Sequence, residues 1–374
     1  MPESADPSPA TNAPERVFLS PLQETVATTP TDLWNDSCSV DSLTYALEHG
    51  ATGATTNPTI VGEVLATEKA VWHDRIVDIV SANPVWTEDE VAWKLIEEMA
   101  IRGADLLLPV FEREHGVKGR LSIQTSPKLY RDAIRLVEQS LHFAELAPNI
   151  QVKIPATRAG IEAVEHVTAT GTSINATVCF TVSQALAVAE AVQRGVARFE
   201  GSGGDASMMS PVCTIMVGRL DDWLDVVAGR DGLAVTPGVV SWSGLACFKR
   251  AYSVYQERGY RTRLLAAAYR HHRHWSELVG GDIVLTIPPK WQRIFNASSI
   301  KPAVRIDRPV PGDVVSELAR LFPDFRRAYE IDGLQLDEFD QFGPTVRTLR
   351  QFLSSYTELT SAVRDVMLPN PDLG

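Results

Sequence analysis

Apolar residues follow two alternating rhythms along the chain: short continuous or alternating runs, and longer stretches in which they return every three or four positions. The short runs are TDLWND (31–36), GATTN (53–57), GRLSIQTSP (119–127), IQVKIP (150–155), SINAT (173–177), PVCTIMVGRL (211–220), TRLLAAAYR (262–270) and DIVLTIP (282–288). Between them lie helical patterns such as SVDSLTYALEHG, TEDEVAWKLIEEMAIRGADLLLPVFERE, KLYRDAIRLVEQSLHFAELA and VSQALAVAEAVQRG. Eight strands separated by helix-length connections predict a closed (β/α)8 TIM barrel. An open doubly wound sheet would carry a glycine-rich phosphate turn after its first strand, and TDLWND leads into none. The segment MPESADPSPATNAPE is rich in Pro, Ser and Ala and predicts a disordered tail over residues 1–20. Residues 21–374 then form a single barrel, with the helical stretches SELARLFPDFRRAYEIDG and FGPTVRTLRQFLSSYTELTSAVRDVML packed on it.

In such a barrel the chemistry sits at the C-terminal ends of the strands. Read there, the residues are polar: Asp36, Asn57, Gln124, Lys153, Asn175 with Thr177, Thr214 and Arg270, with Arg219 just beyond strand six. Lys153 stands in an otherwise buried strand, where an amine carries a desolvation penalty. Two roles fit it: a structural amine that snorkels or pairs with a carboxylate, or a nucleophile of lowered pKa that forms a Schiff base with a ketone. Asp36 suits a proton-transfer partner, although an Asp at a strand end is also a common helix cap. The amides suit the hydroxyls of a polyol. Arg219 and Arg270 read singly as surface charges and together as a bidentate phosphate grip.

Charge and composition narrow the partners. A net charge of −12 opposes non-specific nucleic-acid binding and leaves a local phosphate pocket open. Cys38, Cys179, Cys213 and Cys247 lack ligand or framework spacing and read as reduced thiols, which with the absence of a signal-like start predicts a cytoplasmic location. No window is apolar and long enough for a membrane. The HHRHW run (271–275) reads as a solvated helix start, since no carboxylate or cysteine spacing completes a metal site around it. The aromatics of VVSWSGLACFKRAYSVYQERG read equally as a pocket cover or as core.

The segments GATTNPTI, IQVKIPATRAGIEAVE, GTSINATVCFTVSQALAVAEA and VGRLDDW resemble the transaldolase family, over about residues 31–290. The resemblance implies a (β/α)8 barrel of class I aldolase type. It also implies transfer of a dihydroxyacetone unit from a ketose phosphate (sedoheptulose 7-phosphate or fructose 6-phosphate) to an aldose phosphate in carbohydrate metabolism, with no metal or organic cofactor. By the same resemblance Lys153 matches the Schiff-base lysine and Asp36 the acid/base. Asn57 and Asn175 would hold the dihydroxyacetone hydroxyls, Thr177 would place the catalytic water, and Arg219 and Arg270 would bind phosphate. Four positions depart from the family. Gln124 replaces a glutamate and matches the related fructose-6-phosphate aldolases. Met216 replaces a phenylalanine, and Thr214 and Ala268 replace serines, the second of them a phosphate donor. These departures keep a specialised transfer that builds an unusual sugar, simple aldol cleavage, and a non-catalytic scaffold as alternatives. Sugar phosphates are the implied partners, and the oligomeric state is a monomer or a homodimer.

Overall fold

A computed structural model describes residues 17–373. The strands are β1 (Asp32–Asn35), β2 (Gly53–Thr55), β3 (Arg120–Gln124), β4 (Ile150–Pro155), β5 (Ile174–Cys179), β6 (Val212–Ile215), β7 (Arg263–Ala266) and β8 (Val284–Ile287). They close into a parallel barrel in chain order, β1 pairing with β8. Residues 1–16 lie outside the described residues. Ser20 is already ordered: it caps the first helix, Pro21–Thr28, and its hydroxyl meets His49 at 2.8 Å.

Side chains alternate across each strand, so one set faces the surrounding helices and the other fills the barrel. The outward set, including Leu33, Ile123, Val152, Ile154, Ala176, Ile215 and Leu285, belongs to the large apolar core shared with the helices. The inward set is layered. Asp32 closes the lower end, with ion pairs to Lys118 and Arg263 at 2.7 Å each. Above it Trp34, Val212, Leu265, Ala267 and Val284 form a separate apolar plug. Trp34 fits only because β2 begins with glycine: a Cβ on Gly53 would stand 2.6 Å from the indole. The next layer is polar, and the barrel therefore turns from dry plug to reactive mouth within one strand length.

The sequence-based strand ends need correction at two places. PVCTIMVGRL is strand only to Ile215, and VGRL opens the helix Val217–Asp231. TRLLAAAYR is strand only to Ala266, because Ala268 takes a left-handed φ of 66° that no extended run can contain. The HHRHW run is solvated only in part: His272 is exposed, but His274 and Trp275 are fully buried in the short helix Arg273–Ser276, and Asp221 supplies the carboxylate that the run itself lacks. Core packing accounts for Phe248 and Tyr255 of the helix Ser243–Arg258, both of which join the apolar core. The C-terminal helix Gly343–Met367 packs across the helices Pro58–Thr67 and Glu88–Arg113 and reaches the helix Val217–Asp231. This path carries its middle to the barrel mouth.

The helix Arg158–Thr168 is pressed against the end of β4, where a Cβ on Gly160 would overlap the Pro155 carbonyl oxygen. Gly160→Ala must push this helix away from the strand that bears Lys153. The expected loss is about 3 kcal/mol, read as a lower denaturation midpoint at unchanged slope in urea. Wild-type stability of the variant would show that the contact is dispensable.

Candidate active site

Strand register assembles the mouth. In a parallel sheet, register partners point to the same side; Gln124 pairs with Lys153, and Lys153 with Asn175. Thr177, two residues beyond Asn175, lies on the same side one step nearer the mouth. Asn175 is clamped within the barrel, its amide donating to Ser122 Oγ at 3.1 Å and its oxygen accepting from Thr214 at 2.6 Å. Asp36 follows the end of β1 and continues its ladder, its N–H donating to the Ile287 carbonyl at 3.1 Å. Its carboxylate accepts from Thr55 Oγ1 at 2.7 Å, and Thr55 in turn meets Thr286 at 2.7 Å.

Lys153 is 3% exposed, and its amine has one long contact, 3.4 Å to the Thr56 carbonyl. Burial lowers its pKa to about 8 against the pull of Asp36, with Arg219 adding a further lowering. Burial raises Asp36, opposed by Lys153 and by the Thr55 hydrogen bond. The two groups are thus displaced toward each other, amine down and carboxyl up, as general acid/base chemistry near neutral pH requires. Around them Gln124 Oε1, Thr177 Oγ1 and Thr56 Oγ1 are buried without partners. Buried polar atoms left open beside the amine are groups that a ligand or water can satisfy.

Asn57 has a different position from its strand-end neighbours. It caps the helix Pro58–Thr67, its oxygen accepting from Ile60 N at 3.0 Å. Met216 is buried at the turn from β6 into the helix Val217–Asp231, its N–H donating to the Cys179 carbonyl at 3.0 Å. Arg219 lies in the first turns of that helix. Its Nη1 donates to Gln351 at 2.6 Å, its guanidinium stacks 5.5 Å over Phe352, and its Nε is buried without a partner. Burial, followed by the charge of Arg270, lowers its pKa to about 10. Arg270 is more open and is paired with Asp222 by three contacts of 2.7 to 3.2 Å. Arg347 donates to the Asp222 backbone carbonyl at 3.1 Å. The cationic side of the mouth therefore depends on Asp222, Arg347, Gln351 and Phe352, which sequence reasoning missed. Three of them come from the C-terminal helix, and no local spacing announces where that helix docks.

A parallel (β/α)8 barrel with a buried lysine, a carboxyl and two arginines at its C-terminal mouth is the architecture of a lysine-bearing aldolase-type enzyme. The sequence profile described as Transaldolase/Fructose-6-phosphate aldolase matches residues 33–323, and the chain belongs to this family. It is similar to a transaldolase of Thiobacillus denitrificans, 29% identical over 287 residues, covering 69% of this chain and 79% of that one. A transaldolase of Thermobifida fusca is 31% identical over 247 residues, covering 64% and 66%. One of Mycolicibacterium smegmatis is 29% identical over 229 residues, covering 60% and 61%. The fold expected from the sequence is the fold found. No helix of the described residues is long and apolar enough to cross a membrane.

The lowered Lys153 pKa has a direct consequence. The neutral amine becomes the major form above about pH 8 rather than above 10.5. Modification of Lys153 by trinitrobenzenesulfonate, followed by peptide mass mapping, should rise with pH around a midpoint near 8. A midpoint above 10 would mean that the amine is solvated. The sign for stability follows: between these two values the unfolded chain binds the extra proton, so this group's contribution to stability increases as pH rises.

Proposed function

We propose that the chain is a transaldolase that moves a dihydroxyacetone unit between sugar phosphates through a Schiff base on Lys153. The observation that carries this reading is the almost fully buried amine of lowered pKa beside the Asp36 carboxyl. Neutral Lys153 adds to the C2 carbonyl of the ketose phosphate, and water leaves as the imine forms. Asp36 takes the C4 hydroxyl proton. The C3–C4 bond breaks, its electron pair passes into the protonated imine as an enamine, and an aldose phosphate departs. An incoming aldehyde is attacked by C3 of the enamine, and Asp36 returns its proton to the new hydroxyl. Asn175 and the amide of Asn57 hold the dihydroxyacetone hydroxyls, with Thr214 fixing the Asn175 oxygen. Thr177 places the water, Met216 walls the site, and Arg219 and Arg270 take the phosphate. Gln124 orients water without accepting its proton.

A second reading, cleavage without an acceptor, is favoured by Gln124, because the related fructose-6-phosphate aldolases carry glutamine there. A specialised acceptor is favoured by Ala268, which offers no hydroxyl to a phosphate.

Borohydride reduction with fructose 6-phosphate, followed by intact mass, should add one reduced dihydroxyacetone unit, and Lys153→Ala should abolish the adduct. Glyceraldehyde 3-phosphate should accumulate only when erythrose 4-phosphate is supplied. Steady release without acceptor would establish the cleavage reading, and no adduct would remove the Schiff-base reading altogether. Gln124→Glu should raise imine turnover about tenfold by restoring a base at the water, measured as the rate of 18O exchange into the C2 carbonyl.

A further inference from the structure

The cluster that the mechanism leaves unused is Asp221, His271 and His274, just behind Arg270. Asp221 lies on the helix Val217–Asp231 and is 4% exposed. Its Oδ1 accepts from Ser243 Oγ at 2.6 Å and Gly244 N at 3.0 Å; its Oδ2 faces His274 Nε2 at 3.0 Å. Burial pushes its pKa up, but the neighbouring His271 and His274 and the Ser243 hydroxyl outweigh burial and hold it at about 2. His274 is fully buried, and its Nδ1 stands 3.1 Å from the backbone nitrogen of Arg270.

A peptide N–H only donates, so His274 Nδ1 must present its lone pair. The ring proton is therefore on Nε2 and is donated to Asp221. Burial lowers the His274 pKa and keeps the ring neutral, although Asp221 opposes that shift. His271 lies against His274 with the rings tilted and 3.8 Å between centroids, its Nε2 3.6 Å from Asp221 Oδ2 and both its ring nitrogens buried without a hydrogen-bond partner. The three groups resemble a metal site, but a cation on His274 Nε2 would move the ring proton to Nδ1, against the Arg270 N–H. Keeping the Arg270 contact and binding a metal at Nε2 exclude each other.

The loop that carries Arg270 needs such a hold. Ala268 stands in the left-handed region at φ 66°, and its carbonyl is packed so closely on Gly218 that a Cβ there would overlap it. A strained segment persists only where its surroundings fix it on several sides. We propose that Asp221 and His274 are positioning residues for Arg270: the carboxylate sets the imidazole tautomer that accepts the Arg270 N–H, and this fixes where the guanidinium meets the substrate phosphate. The inference rests on the assignment of Arg270 to the phosphate.

Asp221→Asn is the informative change. Its oxygen can still accept from Ser243 and Gly244, while its amide nitrogen donates toward His274 Nε2 and moves the ring proton to Nδ1. Two N–H groups then face each other at Arg270. The expected result is a KM for fructose 6-phosphate raised about tenfold, with kcat changed by less than about threefold. Borohydride trapping by dihydroxyacetone, which has no phosphate, should lose much less. His274→Phe should behave alike, and the double variant should be no worse than either, since both act through one tautomer. An independent reading needs no variant: long-range 15N–1H spectra of the wild type should place the His274 proton on Nε2 and show no change with Zn2+. A proton on Nδ1, equal losses with phosphorylated and unphosphorylated donors, or stoichiometric Zn2+ binding abolished by His274→Phe would overturn the proposal. Absence of any wild-type adduct with fructose 6-phosphate would instead overturn the reading of the catalytic site, and the spectra would still decide the tautomer.

Discussion

The desolvation of one amine sets the terms for the rest of the barrel. Lys153 is surrounded by protein, and burial lowers its pKa further than the charge of Asp36 restores it. Gln124 and Asn175 flank it in register and are polar without charge. The carboxyl in this inward ring is Asp36, itself weakened by burial and fastened to Thr55. A closer or better solvated carboxylate would lock the amine as a structural ion pair. The apolar plug of Trp34, Val212, Leu265, Ala267 and Val284 fills the barrel below the amine. Gly53 and Gly160 let the plug and a covering helix approach closely, so the amine sits on a support with little freedom to relax.

Where Lys153 stands fixes what the cationic side of the mouth must do. Arg270 opposes the charge on Arg219, and Arg219 in turn opposes protonation of the Lys153 amine, so each arginine needs a counterweight. Arg270 takes its counterweight from Asp222, whereas Arg219 lies on Phe352 and donates to Gln351. A phosphate bound as proposed would have to compete with Asp222 for Arg270, whereas Arg219 has no carboxylate partner among the described residues. Burial makes Arg219 the stronger electrostatic partner, and the more open Arg270 becomes the adjustable one. The C-terminal helix matters here because it supplies the surface against which Arg219 is oriented.

The barrel and its reactive layer were legible because both depend on local period. Alternation places Gln124, Lys153 and Asn175 inward, and strand order brings them together without further information. The ends of β6 and β7 were not legible, because a left-handed Ala268 and a helix that begins at Val217 depend on neighbouring packing rather than residue preference. Alanine carries no signal for positive φ. His274 was misread for a related reason: HHRHW looks hydrophilic alone, and the carboxylate that buries it lies 53 positions earlier in the chain. Asn57 shows a third limit. Its residue type suits both a sugar hydroxyl and a helix cap, and the structure assigns its oxygen to the cap.

Gln124 and Lys153 must be considered together. A glutamate at position 124 would place a second negative charge in register with the amine, favour the ammonium form and raise the lysine pKa. Glutamine leaves the amine depressed to about 8, with more of it free to attack a ketone near neutral pH. On the Schiff-base reading proposed above, the same substitution removes a base from the water that would form or hydrolyse the imine. Carbonyl attack gains while water activation loses, and the balance shifts toward a longer-lived covalent intermediate. A longer-lived enamine benefits an enzyme that waits for an aldehyde acceptor, provided that Asp36 still returns the proton. On that reading Gln124 does not oppose transfer, even though its likeness to the fructose-6-phosphate aldolases favours cleavage, and what would separate the two is how long an enamine on Lys153 escapes protonation at C3.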